Sequence, residues 1–358
     1  MKAKMKAQVF YEPNVMRLEE IDVPLIDDNE VLVKVKACGI CGSDIAYYYG
    51  RSPLETPTGK GPLVFGHELS GEVTEVGRKA ADMDLVKIGD KVIINPSQHC
   101  NACSNCLKGY VNLCKNPIGL GASANGGFAE YTKVNYTHIY KMPKNISFEE
   151  GAVVEPLSCA TYGVENLQVN MGDFVVIIGS GTIGLLMVQL IKAKGAGKVA
   201  LVGIFDYPLE LGGELGADYI INTLDKNSCY YAKDLKEKVL ELNSGELAQR
   251  VIVPTSAKVA LQQALEVSGK RSVVVYFGLP GEKDILEVPT LNTLTSDKTL
   301  RFSWLAPFTW PRAIKAIEIG KVDVKKLITH RYSLEKLGEG IAFMNSSVGE
   351  KIKAMIII

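Results

Sequence analysis

The stretch Asp173-Phe-Val-Val-Ile-Ile-Gly179-Ser-Gly181-Thr-Ile-Gly184 decides the fold of the second half of this 358-residue chain. Its run of apolar residues is typical of a parallel strand that is buried on both faces. The glycines form a Gly-x-Gly-x-x-Gly turn, and a helix is predicted after them over 185–194. Such glycines permit a tight turn, close approach of the backbone to a pyrophosphate, and packing of the helix on the strand. We therefore predict a dinucleotide-binding turn, with a generic strand–helix turn as the alternative.

Strand and helix patterns continue to alternate beyond this turn. The predicted strands are 198–202, 219–222, 250–253 and 272–278, and the predicted helices are 209–215, 230–242 and 258–267. Alternation of this kind predicts a doubly wound parallel sheet with helices on both faces.

The first part of the chain has a different pattern. Up to about residue 95, short runs of alternating apolar and polar residues are separated by Gly, Pro, Asn and Asp, which predicts a largely antiparallel β domain. A closing strand predicted over 351–358 is assigned back to this domain. The predicted division is therefore 1–156 with 295–358 for the β domain, and 157–294 for the α/β domain.

The β domain carries residue types that suit a catalytic zinc ion. Cys41 lies in the sequence Cys-Gly-Ile-Cys-Gly-Ser-Asp, His67 and Glu68 are adjacent, and Glu155 follows far downstream. Together they offer a thiolate, an imidazole and carboxylates, all of which bind zinc. Each residue alone is equally well explained as a buried thiol, a core histidine or a surface acid, so the prediction of a metal site depends on the set.

Four more cysteines follow in a short loop segment: Cys100, Cys103, Cys106 and Cys114. Four thiolates at this spacing predict a closed, tetrahedral zinc site with a structural role. A redox Cys-x-x-Cys pair or two disulfides are the alternatives. The sequence therefore predicts two zinc ions in unequal roles.

Charge and composition exclude several function classes. Lys plus Arg and Asp plus Glu both number 40, so no basic surplus points to nucleic acid or to an anionic membrane. We expect no membrane partner, because no apolar run reaches transmembrane length. Eight cysteines without a signal-peptide pattern favour metal binding in the cytoplasm over disulfides.

The order of these motifs resembles the zinc-dependent medium-chain alcohol dehydrogenases over nearly the whole chain. Within that family it is similar to the polyol branch of sorbitol, threonine and galactitol-1-phosphate dehydrogenases. The motifs that carry the resemblance are Cys41-Gly-Ser-Asp, Gly66-His-Glu, the four-cysteine loop, Gly126-Gly-Phe-Ala-Glu-Tyr, Val154-Glu-Pro-Leu and the glycine-rich turn. The resemblance implies a GroES-like catalytic domain and a Rossmann domain, with the active site in the cleft between them.

The resemblance also implies roles for individual residues. By position, Cys41, His67 and Glu155 match the catalytic zinc ligands, and Glu68 matches an acid that ligates zinc in some relatives. Ser43 matches the hydroxyl that hydrogen-bonds the substrate oxygen, so the candidate catalytic residues are Ser43, Glu68 and Glu155. Candidate cofactor contacts are Gly179, Gly181, Thr182, Ile183, Gly184, Asp206, Phe277, Gly278 and Leu279. Many relatives have a histidine of the proton relay where Ala46 stands, so the route of the proton stays open.

One segment departs from the family pattern. Relatives have an acidic residue at the end of the second Rossmann strand, where it holds the adenosine ribose, but that position is Gly203 here and the nearest acid is Asp206. No Lys or Arg lies between 203 and 213, which favours NAD over NADP. We therefore expect weak NAD binding with NADP possible, and we expect Gly203→Asp to tighten NAD binding.

Pro156 is expected to hold Glu155 in an extended conformation that directs its side chain towards the cleft.

The sequence thus predicts a zinc- and nicotinamide-dependent dehydrogenase of a polyol or sugar alcohol, which the resemblance implies to be a homo-oligomer, dimer or tetramer. A sugar phosphate or an amino alcohol is the alternative substrate, and Arg51, Lys60 and Arg301 are the cations that would have to converge on a phosphate. A zinc- and nucleotide-binding protein without turnover is the alternative from another class.

Overall fold

The computed structural model of the chain describes residues 4–52, 61–347 and 349–358. Ten strands in its first part belong to the predicted β domain. They are β1 (Lys4–Glu12), β2 (Val15–Asp22), β3 (Glu30–Gly39), β4 (Leu63–Val64), β5 (Glu68–Val76), β6 (Lys91–Ile94), β7 (Ser97–Gln98), β8 (Ile118–Gly119), β9 (Tyr131–Asn135) and β10 (Ile139–Lys141).

A second group of six strands forms one parallel sheet. They are β11 (Phe174–Ile178), β12 (Lys198–Gly203), β13 (Tyr219–Asn222), β14 (Ala248–Val253), β15 (Ser268–Tyr276) and β16 (Thr299–Phe302). Their spatial order is β13-β12-β11-β14-β15-β16, with every neighbour parallel. This is the strand order of a doubly wound dinucleotide-binding sheet, whose strand order reverses beside β11.

The last two strands return to the β domain. β17 (Ile328–Ser333) pairs with β18 (Lys353–Ile357), and β18 pairs antiparallel with β3, giving the order β10-β6-β5-β3-β18-β17. The domain boundaries stay a prediction. Because β16 pairs with β15, we propose to place the second boundary after Phe302 rather than after residue 294.

Twelve α-helices occur in the described residues. They are α1 (Gly42–Tyr48), α2 (Arg78–Asp82), α3 (Ser104–Leu107), α4 (Phe148–Ala152), α5 (Val154–Leu167), α6 (Thr182–Ala193), α7 (Asp206–Glu214), α8 (Leu235–Leu242), α9 (Lys258–Glu266), α10 (Thr290–Thr295), α11 (Trp310–Glu318) and α12 (Leu337–Asn345). The helix predicted from residue 230 begins only at Leu235, because the Asp234 side chain accepts a hydrogen bond from Glu237 N and caps it there. Among all the residues that the structure describes, no helix has the length and apolar character needed to cross a membrane.

α7 explains the unusual residues in its sequence. Pro208 lies in its first turn, where a missing N–H breaks no helical hydrogen bond. A Cβ atom on Gly212 would lie 2.1 Å from Leu201 Cδ2, so glycine lets the helix approach the sheet closely. The free-energy cost of a glycine inside a helix, about 1 kcal/mol, is offset by this packing.

The apolar core joins the two sheets through α5. Val154, Leu157 and Val164 on α5 are buried in one cluster with Val175 and Ile177 of β11. A second cluster fills the β domain and a third covers the other face of the parallel sheet. α5 therefore fixes the glycine-rich turn relative to the residues predicted to bind metal.

Candidate metal centre and dinucleotide cleft

Three of the predicted zinc ligands meet at the edge of the β domain. The ligand atoms of Cys41, His67 and Glu68 all lie within 4.8 Å of one another. Cys41 immediately precedes α1, while His67 and Glu68 stand where the chain enters β5. A thiolate, an imidazole and a carboxylate at this separation form a donor set that suits zinc.

Asp44 orients His67. The Asp44 carboxylate accepts hydrogen bonds from Cys41 N at 2.9 Å and from Gly66 N at 3.3 Å, and its Oδ1 lies 3.4 Å from His67 Nδ1. Burial lowers the pKa of His67, but Asp44 and Cys41 outweigh this and raise it well above its usual value. With Nδ1 facing Asp44, Nε2 is the atom left for a metal ion.

Glu155 lies in the same cavity but outside the set of three. The expectation of an extended Glu155 is wrong, because α5 begins at Val154 and Glu155 lies in its first turn. Pro156 is tolerated there since the first turn of a helix needs no N–H donor. Burial raises the pKa of Glu155 to about 7, and the Cys159 thiol donates to its Oε1 at 3.5 Å.

Sequence reasoning did not assign a role to Lys353. Its ammonium group donates to both oxygens of Glu68 at 2.8 Å and to Ile40 O at 3.0 Å. Lys353 and Glu68 are 4% and 1% exposed, so the ion pair is buried. A lysine within the apolar closing strand Ile-Lys-Ala-Met-Ile-Ile was the signal in the sequence, because a charged residue on a buried strand needs a partner.

The four-cysteine loop forms the second cluster. The sulfur atoms of Cys100, Cys103, Cys106 and Cys114 lie within 4.8 Å of one another. Backbone N–H groups point at these sulfurs, among them Cys103 N to Cys100 Sγ at 3.3 Å and Asn116 N to Cys114 Sγ at 3.4 Å. Four thiol groups with N–H donors around them fit a structural zinc ion, since zinc is bound by the thiolate form.

The glycine-rich turn faces the Cys41–His67–Glu68 cluster across a cavity of about 790 Å³. Ser43 and Glu155 line the metal side, and the other side includes six predicted cofactor residues. These are Gly181, Thr182, Ile183, Phe277, Gly278 and Leu279. Gly179, Gly184 and Asp206 are not in this lining.

The turn fits a dinucleotide. A Cβ atom on Gly181 would meet no atom within 4 Å, so the backbone there is open to a pyrophosphate. On Gly184 a Cβ atom would lie 1.8 Å from Gly179 O, so only glycine lets α6 pack on β11. Gly181 caps α6, whose N-terminal amides favour an anion.

The expected adenosine site is unlike that of a typical NAD enzyme. Asp206 Oδ1 accepts hydrogen bonds from Asn222 Nδ2 and Ser228 Oγ, both at 2.7 Å, which ties it to β13 and the loop after it. The expectation that Gly203→Asp simply tightens NAD needs correction. A Cβ atom at Gly203 would lie 2.2 Å from Ser180 Oγ and 2.9 Å from Ser180 Cβ.

Of the three cations considered for a phosphate, the two that the structure describes do not converge. Arg51 lines the cavity and donates to Asn345 Oδ1, whereas Arg301 donates to Asn166 O and is absent from the described lining. Lys60 lies outside the described residues. Arg51 is therefore the one arginine in the described part of the cavity wall.

Comparison with known proteins agrees with this geometry. Residues 27–144 match the alcohol dehydrogenase GroES-like domain, and residues 182–318 match the zinc-binding dehydrogenase domain. The chain is 33% identical to sorbitol dehydrogenase of Bombyx mori, over 97% of both chains. It is 32% identical to D-arabitol-phosphate dehydrogenase of Enterococcus avium, over 95% of this chain and 93% of the other.

Solved structures share the whole fold. A crystal structure from Sinorhizobium meliloti 1021 bound to NADP is 27% identical, with a TM-score of 0.89 over 100% of both chains. An alcohol dehydrogenase from E. coli CFT073 complexed with NADH is 28% identical, with a TM-score of 0.88 over 99% of this chain and 100% of the other. The chain therefore belongs to the zinc-dependent medium-chain alcohol dehydrogenases, in their polyol branch.

Proposed function

We propose that this oxidoreductase moves a hydride between a secondary hydroxyl of an unphosphorylated polyol and a nicotinamide cofactor. The observation that carries this proposal is the single cavity of about 790 Å³ whose wall includes both Cys41, His67 and Glu68 and the turn at Gly181. A polyol bound at the cluster and a nicotinamide ring bound beyond the turn would meet in this cavity. The pairing of a metal-ligand set with a dinucleotide turn thus supports a dehydrogenase rather than either binding function alone.

Cys41, His67 and Glu68 would hold the catalytic zinc, with Glu155 as a further acid in the same wall. When bound, zinc supplies Lewis acidity that lowers the pKa of an alcohol, and the nicotinamide supplies the hydride acceptor. The turn at 179–184 would bind the pyrophosphate and so align the nicotinamide with the cluster.

Side chains of the protein take up the proton that the substrate hydroxyl releases. Ser43 Oγ lies 3.5 Å from His67 Nε2 and lines the cavity, so it is placed to accept the proton of the substrate hydroxyl. Ala46 also lines the wall and offers no base, which leaves Ser43 and Glu155 to pass the proton outward.

The charge of the wall favours an unphosphorylated substrate. Lys353 is already paired with Glu68, and Asp284 adds a negative charge to the lining. Arg51 is the observation that favours a sugar phosphate as second candidate, and the likeness to D-arabitol-phosphate dehydrogenase points the same way. A threonine-like amino alcohol remains the third substrate class.

The test is a panel of sorbitol and other polyols, their phosphate esters and threonine, with NAD and NADP, followed by absorbance of the reduced nicotinamide. We expect kcat/KM to be highest for an unphosphorylated polyol, and Arg51→Ala to change it less than threefold. If kcat/KM is higher for a phosphate ester and this advantage is lost in Arg51→Ala, the substrate is a sugar phosphate and not an unphosphorylated polyol. No reduction with any compound would support a binding protein without turnover.

We also propose a homo-oligomer in the cytoplasm. The edge strand β16 carries Phe302, which is 74% exposed, and exposed Leu291 and Leu294 lie on α10 before it. An apolar sheet edge of this kind is commonly covered by a second copy of the same chain. None of the eight cysteines forms a disulfide, which supports a reducing compartment.

A further inference from the structure

Ser180 occupies the space that an acidic side chain at position 203 would need. Gly179 N donates to Val202 O at 2.9 Å, so the start of the glycine-rich turn lies directly beside the end of β12. A Cβ atom on Gly203 would lie 2.2 Å from Ser180 Oγ. In dinucleotide-binding folds, the carboxylate that binds the adenosine ribose stands about 20 residues after the glycine-rich turn, at the position of Gly203 here.

The Ser180 hydroxyl is free to bind a ligand. Among the described residues it has no hydrogen-bond partner, and Ser180 is 8% exposed. Among the described residues, Ser272 Oγ is the one side-chain nitrogen or oxygen atom that has neither solvent contact nor a hydrogen-bond partner. Ser180 Oγ has no partner either but does not belong to this class, so it still reaches solvent. It also adjoins Gly181, which lines the cavity.

Asp206 is held on the opposite side of β12. The order β13-β12-β11 puts Ser180, after β11, on one side of Gly203, and puts Asn222, at the end of β13, on the other. Since Asn222 and Ser228 both donate to Asp206 Oδ1, this carboxylate is anchored away from Ser180.

We propose that Ser180, rather than an acid, binds the adenosine ribose and sets the cofactor preference of this enzyme. The inference rests on the proposed function, since it deepens the same cofactor site. A hydroxyl group can donate as well as accept, and it carries no charge. It can therefore bind a ribose 2′-hydroxyl and also a 2′-phosphate, which a carboxylate repels. Discrimination between NAD and NADP is consequently weak, and it is set jointly by Ser180 and Gly203.

The test measures the dissociation constants of ADP-ribose and 2′-phospho-ADP-ribose by calorimetry, for the parent and for Ser180→Ala, Gly203→Asp and Ser180→Gly/Gly203→Asp. Loss of one neutral hydrogen bond should weaken both probes about three- to tenfold in Ser180→Ala. Gly203→Asp alone should bind ADP-ribose no more tightly than the parent, because Ser180 fills the space. The double variant should bind ADP-ribose about tenfold more tightly and lose the phosphorylated probe, since a charge-assisted hydrogen bond is gained. Ser123→Ala, on an exposed turn, controls for mutation itself.

Several outcomes overturn the inference. They are unchanged binding in Ser180→Ala, equal gains of ADP-ribose affinity in Gly203→Asp and in the double variant, and a larger loss in Asp206→Asn than in Ser180→Ala. The probes lack nicotinamide, so they separate this inference from the proposed function. Ser180-dependent binding without any turnover would contradict the function alone, whereas turnover with Ser180-independent binding would contradict the inference alone.

Discussion

Lys353 Nζ lies 2.8 Å from both carboxylate oxygens of Glu68, and the pair is buried beside the cysteine and histidine of the candidate metal centre. Burial lowers the pKa of Lys353, but Glu68 outweighs it and the pKa is raised above its usual value, so the lysine stays charged. The ion pair connects the closing strand β18 to the start of β5. It also restrains the Glu68 carboxylate next to His67.

Removing the lysine should therefore be costly. In Lys353→Met, Glu68 would be a buried charge without its partner, and we expect the free energy of unfolding to fall by about 3–5 kcal/mol. Glu68→Gln/Lys353→Met should recover part of the loss because no charge is left buried. Lys34→Met, at an exposed position on β3, is the control and should change stability by less than about 0.5 kcal/mol. Chemical denaturation measures all four proteins, and a Lys353→Met variant as stable as the control would contradict the role of the pair.

The two cysteine-containing clusters should lose zinc independently. The parent should contain about two zinc ions per chain, and Cys100→Ser should contain about one with a lower midpoint of thermal unfolding, because the closed cluster anchors its loop. Cys229→Ser is the matched control, since this exposed thiol belongs to neither cluster. Elemental analysis together with thermal unfolding checks the prediction. Equal zinc content and equal midpoints in both variants would show that the four cysteines hold no structural metal.

Glu155→Gln should reduce zinc retention at the catalytic site. The change keeps the size of the side chain but removes the negative charge that this wall offers to a cation, so we expect zinc affinity to fall about 10- to 100-fold. Turnover should fall with it. Glu165→Gln, on the same helix and paired with Arg312, is the control and should leave both quantities unchanged. If competition with a chelator gives the same zinc affinity for both variants, Glu155 contributes nothing to the metal site.

His138 should make the fold sensitive to acid. Burial, with a smaller effect of His99, lowers the pKa of His138 to about 4 from its ordinary 6.5. Its Nε2 accepts a hydrogen bond from His99 N at 3.2 Å, so a proton on that atom would face this N–H donor. The unfolded chain binds this proton first as pH falls, so stability is lost from about pH 6.5 down to about pH 4.

The size of this effect follows from linkage. Lowering the pH from 7 to 5 should cost the parent about 2 kcal/mol of unfolding free energy through His138. His138→Gln does not titrate and should lose about 2 kcal/mol less than the parent over the same interval. Denaturant unfolding of both proteins at pH 7 and pH 5 gives the difference, in which acid effects on the zinc sites cancel. Equal losses in the two proteins would refute the assignment.

The parallel sheet and the ligand types could be predicted from the sequence because they depend on local patterns. β13 lies at the predicted 219–222, and the cysteines and histidine met as expected. Contacts between residues far apart in the sequence could not be predicted, because local patterns do not say which strands lie side by side. The approach of Lys353 to Glu68 spans 285 positions, and the obstruction of Gly203 by Ser180 depends on how two strands lie side by side. The extended conformation expected for Glu155 was wrong because α5 needs no N–H donor from Pro156 in its first turn.

The rate of nicotinamide reduction with a polyol in His67→Ala, compared with the parent, tests catalysis at the Cys41–His67–Glu68 cluster. His67 belongs to the cluster of three but not to the four-cysteine loop, so the variant should stay folded and keep about one zinc ion per chain. Loss of about 4 kcal/mol of transition-state stabilisation should slow turnover about a thousandfold. A folded His67→Ala variant that turns over at a rate near that of the parent would contradict catalysis at this centre.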